Sequence, residues 1–176
     1  MQFFSPLLAA GVAAAGTVHF VNQDSTQRTI YFNPNSGLEA LPELVVPGSE
    51  TANQTFPAGW IGNWYSVSDG AENVPGMLGE VAFDGYAGAS YFDVSAIVNP
   101  ADNDGVKMIF PLHASDPVSG CQSFPCANAY NKWDDVATLS TDGSELVCLL
   151  GTVSNERRRG LVARMPRDFV TGAARG

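Results

Sequence analysis

The sequence predicts an all-β sandwich with short loops and little helix. Short runs rich in β-branched and aromatic residues recur along the chain, and Gly, Pro and Asp-Gly breakers separate them at intervals. No stretch keeps a 3.6-residue apolar period long enough for a major helix. "TVHFVN" and "RTIYF" open the series on either side of the polar turn "QDSTQ". "ELVVP", "TANQTF", "IGNWYSV", "MLGEVAF", "SYFDVSAIV", "VKMIF" and "SELVCLL" follow as further strand-like runs. Between them stand Pro47-Gly48, Pro57-Ala58-Gly59 and Asp-Gly pairs at 69–70, 84–85, 104–105 and 142–143.

The ends of the chain differ from this body. "MQFFSPLLAAGVAAAG", residues 1–16, reads as a secretory signal peptide, an apolar run ending in the small-residue site Ala13-Ala14-Ala15. It lacks the usual Lys or Arg at its start, and the alternative is a buried amino-terminal helix. No other apolar run approaches the ~20 residues a spanning helix needs. The expectation is therefore a secreted protein, extracellular or wall-associated, without membrane insertion. Residues 153–176 carry six Arg against Glu156 and Asp168 and show no strand alternation. This basic tail reads either as a disordered extension or as intron read-through in the gene, since Val153-Ser154 can be encoded by the splice-donor sequence GTGAGT.

Residues 17–152 form one domain with three basic side chains against sixteen acidic ones, a net charge of −13. Such a surface repels phosphate backbones and argues against nucleic acid as a partner. Three cysteines lie in the last third. In an oxidising compartment two should pair. Chain entropy favours Cys126–Cys148, worth roughly 3.5 kcal/mol against roughly 2 for the small loop. Proximity favours Cys121–Cys126, which is the pairing expected here, with Cys148 the alternative partner. Asn53-Gln54-Thr55 is a glycosylation sequon at Asn53. Neither His19, in a strand, nor His113, in a loop, has partners at metal-ligand spacing. No nucleophile elbow, HExxH or phosphate-binding loop occurs, so no cofactor or metal is expected, and the domain reads as a monomer.

Several stretches resemble the thaumatin-like proteins, the osmotin and pathogenesis-related group. "TVHFVNQDSTQRTIYF" is similar to that family's first hairpin, "MLGEVAFDGYAGASYFDVSAIV" to its "LAEF…FYDVSLV" hairpin, and "CANAYNKWDD" to its late "CPDAYSYxxDD" segment. The fuller match is to the small fungal branch, the antigenic thaumatin-like or yeast-phase-specific proteins, through "GWIGNWYSVSDGAENVPGMLGEV", "YFDVSAIVNP" and "PVSGCQSFPCANAY". The resemblance implies a thaumatin-like sandwich with an acidic cleft. By position, Glu80 and Asp93 take the places of the cleft acids in the second hairpin, and Asp134 or Asp135 that of a later one. Asn99, Asp102 and Asp104 compete for a fourth. The cleft Arg of plant relatives has no evident counterpart, Arg28 alone preceding the hairpin.

Glu80 and Asp93 are also singled out by the residues themselves, two acids in apolar and aromatic surroundings on consecutive strand-like runs. Paired antiparallel and facing the same side, they would come within a few ångströms to a nanometre, and convergence with Asp134 or Asp135 on one cleft would raise at least one pKa by repulsion. The first expectation is a non-enzymatic protein binding cell-wall polysaccharide, β-glucan by preference. Its ligand-binding residues would be Glu80, Asp93, Asp102, Asp134 and Asp135, helped by flat faces from Tyr91, Phe92, Trp64 or Trp133. The alternatives are a weak endo-β-1,3-glucanase with Glu80 and Asp93 as its catalysts, and a secreted antigen or effector-like protein that binds a surface protein. The last draws on Trp60, Trp64 and Tyr65 as interface aromatics. Against it, the alternation of Ile61, Asn63 and Tyr65 reads as an ordinary half-buried strand.

Overall fold

The structure, a computed structural model, describes residues 14–153. The signal-peptide and basic-tail assignments fall outside these residues, apart from Ala14–Gly16 and Val153. The described residues fold into eleven strands and a single 3₁₀ turn, Tyr86–Gly88. The strands are β1 (Ala14–Asn22), β2 (Arg28–Pro34), β3 (Leu44–Val46), β4 (Thr51–Pro57), β5 (Ile61–Ser68), β6 (Leu78–Ala82), β7 (Ser90–Ser95), β8 (Val106–Pro111), β9 (Ser119–Gly120), β10 (Leu139–Thr141) and β11 (Glu145–Leu150). They form two sheets, of order β4-β1-β11-β8-β9 and β10-β7-β6-β5-β2-β3. The all-β sandwich read from the sequence is thus the fold. The short edge strands β9 and β10 carry no apolar pattern and could not be seen in advance.

One expected pairing is corrected. Residues 17–32 were expected to form a hairpin, yet β1 pairs with β4 and, in parallel, with β11, whereas β2 pairs with β3 and β5. The segment 23–27 crosses from one sheet to the other. Both strands bury alternate residues, Val18 and Phe20 on one and Ile30 and Phe32 on the other, and all four belong to the same core. Facing each other across the sandwich lets both apolar faces be buried at once. The Phe20 and Phe32 rings meet edge-to-face at 5.9 Å.

Aromatic rings dominate that core. Trp64 stands 5.5 Å from Phe20, and Phe56 lies 4.8 Å from Trp60 and 5.2 Å from Phe83. Trp60 and Trp64 are therefore interior residues, which removes them as interface aromatics. Phe92 is buried as well, leaving only Tyr91 and the 87%-exposed Trp133 among the suggested flat faces. Cys121 and Cys126 form a disulfide, and Cys148 lies reduced in the core, where burial pushes its thiol up to about 12 against the pull of Trp64. Such a thiol is inert at physiological pH.

The crossing is fastened by Arg28, which is 2% exposed. Its guanidinium donates to Asn22 Oδ1 (2.6 Å), to Asp24 Oδ1 and Oδ2 (2.7 and 2.9 Å), and to the carbonyls of Thr26 (3.0 Å) and Asp104 (2.8 Å). Asp24 also accepts from the Thr26 and Thr152 backbone N–H groups. Burial alone would raise the Asp24 pKa, but the Arg28 and backbone hydrogen bonds, with the Arg28 charge, outweigh it and lower it to about 2.

Gly79 faces Trp64 across β5 and β6, and a Cβ there would lie 2.5 Å from the indole. Gly79→Val should therefore cost about 1–3 kcal/mol in urea unfolding through overpacking. Arg28→Met leaves Asp24 without its cation and should cost about 3 kcal/mol. Because the folded pKa of Asp24 is depressed, its contribution is complete above the unfolded value near 4 and is lost as pH falls towards 2. Melting of Asp24→Asn beside wild type should show the two curves converging over that interval.

Candidate functional site

Strand register builds the floor of the site. On the outer face of the six-stranded sheet, Asn33 pairs with Asn63, Asn63 with Glu80, and Glu80 with Asp93. A polar row thus runs across β2, β5, β6 and β7, tied at one end by Asn33 Nδ2 donating to Asn63 Oδ1 (3.1 Å). Beside it runs a second row, Ile61–Ala82–Tyr91. Asn35, Tyr130 and Thr138 close a groove of about 280 Å³ over these two rows. Glu80 follows the strand's alternation, with Gly79 and Val81 turned into the core and Glu80 turned out, half-buried.

Asp93 also faces outward, yet it is only 6% exposed. The segment after β9 covers it: Tyr130 bridges to Ser95, and Thr138 leads into β10 on the flank of β7. Asp93 Oδ1 accepts from the Thr138 hydroxyl (3.1 Å), which in turn accepts from the Tyr130 hydroxyl (2.9 Å). No donor reaches the buried Oδ2. The Glu80 carboxyl opposite can hydrogen-bond to Asp93 only if the pair retains a proton. Burial first, then the Glu80 charge and the hydrogen bond with Glu80, raise the Asp93 pKa to about 7, with Thr138 pulling slightly the other way. Two adjacent carboxyls in a groove can share a proton, accept from hydroxyls or hold a cation.

The other acids named from the sequence lie apart from this groove. Asp102 accepts three backbone N–H groups, from Met77 (2.7 Å) and from Asp104 and Gly105 (both 2.9 Å), and so shapes its own loop. Asp135 caps the turn before it by accepting from the Asn131 and Lys132 N–H groups (both 2.8 Å), which lowers its pKa. Asp134 is exposed, Asn99 accepts from Ala101, and the Asp104 carbonyl serves Arg28. Asn53 is exposed on the edge strand β4. Elsewhere, His19 and His113 both bond Glu145, at 3.3 and 3.1 Å, and hold its carboxyl below its ordinary value. Among the described residues no group of three or more His, Cys, Asp or Glu side chains is placed to hold a metal ion.

Sequence reasoning missed Asn35, Asn63, Tyr130 and Thr138. Asn63 could have been found by carrying the Glu80–Asp93 pairing one strand further. Tyr130 and Thr138 come from a segment without strand pattern, and only the tertiary fold brings them to Asp93.

No family model matches the chain. It is 46% identical over 138 residues to the antigenic protein SchS21 of Stachybotrys chartarum, a match spanning 78% of this chain and 96% of that protein. The crystal structure of the protein elicitor MoHrip2 from Magnaporthe oryzae has the same fold, with a TM-score of 0.56 at 15% identity. That likeness covers 78% of this chain and 100% of the elicitor. Neither is a thaumatin-like protein, and the thaumatin-like resemblance drawn from the sequence is corrected accordingly. The stretches that suggested it are strands and turns, whose alternation any half-buried β-sheet shares.

The raised pKa of Asp93 has a stability signature. Asp93 binds more protons folded than unfolded between about pH 4 and its folded pKa of about 7, so its contribution rises as pH falls across that window. Wild type should therefore melt at higher temperature near pH 5 than near pH 8, with about 2–4 °C for each kcal/mol gained. Asp93→Asn should flatten this rise and melt above wild type at pH 8. An unchanged rise in the variant would assign the effect to general surface charge.

Proposed function

The chain belongs to the family of the antigenic protein SchS21, and from that premise we propose that it is a secreted, effector-like protein that binds a surface protein through the Glu80–Asp93 groove. The relative is named for being an antigen and the structural neighbour for being an elicitor, both terms for what another organism perceives. Export is consistent with the apolar opening of residues 1–16. The observation that carries the binding role is the buried, incompletely satisfied Asp93 beside Glu80 in an open groove. Burying a carboxyl in this way costs stability, and a site used for binding accounts for it. Hydrolysis suits the geometry less well. The two acids are direct partners on neighbouring strands of one wall and engage each other, whereas a glycosidase places its two carboxyls to flank the scissile bond.

A second reading keeps the same groove and makes cell-wall polysaccharide of the β-glucan type the ligand. It draws on the lining of Asn35, Asn63, Tyr91, Tyr130 and Thr138, amides and hydroxyls suited to sugar hydroxyls. Fluorescently labelled full chain, added to wall-free plant protoplasts and to insoluble β-1,3-glucan, separates the two. A surface-protein target predicts saturable protoplast binding that trypsin pretreatment of the cells removes. The Glu80→Gln/Asp93→Asn double variant should bind at least about tenfold more weakly, a loss of about 1.4 kcal/mol. Groove-dependent retention on glucan alone would move the assignment to the second reading. Absence of saturable binding to either would overturn both.

A further inference from the structure

Resting on the reading that this groove is a binding site, we propose that it receives the guanidinium of an arginine side chain from a protein partner. Of the residues lining the groove, only Glu80 and Asp93 are charged, and both are acids. Tyr91 and Tyr130 are its only other titratable groups, and the neighbouring strand β5 contributes only Ile61, Gly62 and Asn63. No cation among the described lining residues therefore offsets the pair's charge. Asp93 is more than nine-tenths buried, spends one oxygen on Thr138 and, unless a proton lies between it and Glu80, has no donor for the other among the described residues. A cation entering the groove supplies what the site lacks.

Arginine fits better than lysine. Directly opposed residues on antiparallel strands hold their Cβ atoms about 5 Å apart, so the two carboxyls stand side by side. A guanidinium presents donors along two edges of a rigid plane and can serve both at once, whereas an ammonium is a point charge. Half-buried Tyr91, at the groove's edge, offers a ring on which the plane can stack. The net charge of −13 over residues 17–152 attracts a basic partner segment before contact.

The pair's proton makes this recognition pH-dependent. Burial first, and then the Glu80 charge, raise the Asp93 pKa to about 7, so near neutral pH Asp93 still binds a proton part of the time. A bound guanidinium replaces that proton, so the proton leaves to solvent as the cation binds. Affinity should rise with pH through the titration near 7 and level off above it.

The probe is N-acetyl-arginine amide, with N-acetyl-citrulline amide as its uncharged near-isostere, titrated into the full chain and followed by NMR shifts of the groove amides. Arginine should bind with an affinity that rises about tenfold between pH 6 and pH 8, and citrulline should not bind. Asp93→Asn should remove the pH dependence and most of the affinity. Glu80→Gln, at the half-exposed partner, should weaken binding as well, and it keeps the test open should the first variant not fold. Equal affinity for arginine and citrulline, a flat pH profile, or arginine binding unchanged in both variants would overturn the proposal. So would groove shifts with laminaribiose and none with arginine. Arginine binding in a chain that ignores protoplasts removes the surface-protein reading and leaves this inference standing. Groove-dependent cell binding without arginine affinity does the reverse.

Discussion

The guanidinium of Arg28 is the tie on which the rest of the molecule depends. The chain leaves the first sheet at Asn22 and enters the second at Arg28, and this one cation bonds both ends of the crossing as well as the carbonyl of Asp104 from the loop before β8. All three nitrogens of the group donate hydrogen bonds, and a buried charge is tolerated when it is paired and hydrogen-bonded in this way. Lys107 lies in the same region, 1% exposed and 5.8 Å from the Phe124 ring. Burial pulls its amine down while Asp102 and Asp104 pull it up. The crossing carries the chain from β1 in one sheet to β2 in the other, where β2 pairs with β5 at one end of the row β2-β5-β6-β7.

Two aspartates show how environment separates structural acids from candidate functional ones. Asp24 and Asp93 are the same side chain, yet one is lowered to about 2 and the other raised to about 7. Asp24 meets a buried cation and two backbone N–H groups, so its charged form is stabilised despite burial. Asp93 meets a hydroxyl and a second acid, so its charged form is not. Asp102 and Asp135 belong with Asp24, since backbone donors satisfy both within their own loops. Asp104 and Asp134 are exposed, so among the acids singled out from the sequence only Asp93, with Glu80 opposite it, combines burial with an unmet oxygen.

The family assignment shows what short motifs can and cannot carry. Words such as "SYFDVS" and "MLGEVAF" record alternation, a turn and one outward acid, a pattern that sandwiches of different descent share. They located the second hairpin and its two acids correctly in space, because alternation is local physics. They misjudged the partner of the first strand, because pairing is not local. The expected acidic cleft followed from the resemblance. The groove seen here is set instead by the register of four neighbouring strands and one covering segment.

By itself the sequence determined the strand class, most of the strand positions and the placing of Glu80 and Asp93 on consecutive strands, where a period of two puts every second residue on the same face. It also marked the domain's strong negative charge. The tertiary structure decided which strands meet, that Trp60 and Trp64 are core, and that Arg28 is an internal tie. It also brought Tyr130 and Thr138, some forty residues along the chain from Asp93, over its carboxyl. The reason is physical. Alternation fixes the face of a side chain through local geometry, whereas burial of a particular charge depends on segments distant in sequence, and their arrival is set by the packing of the two sheets.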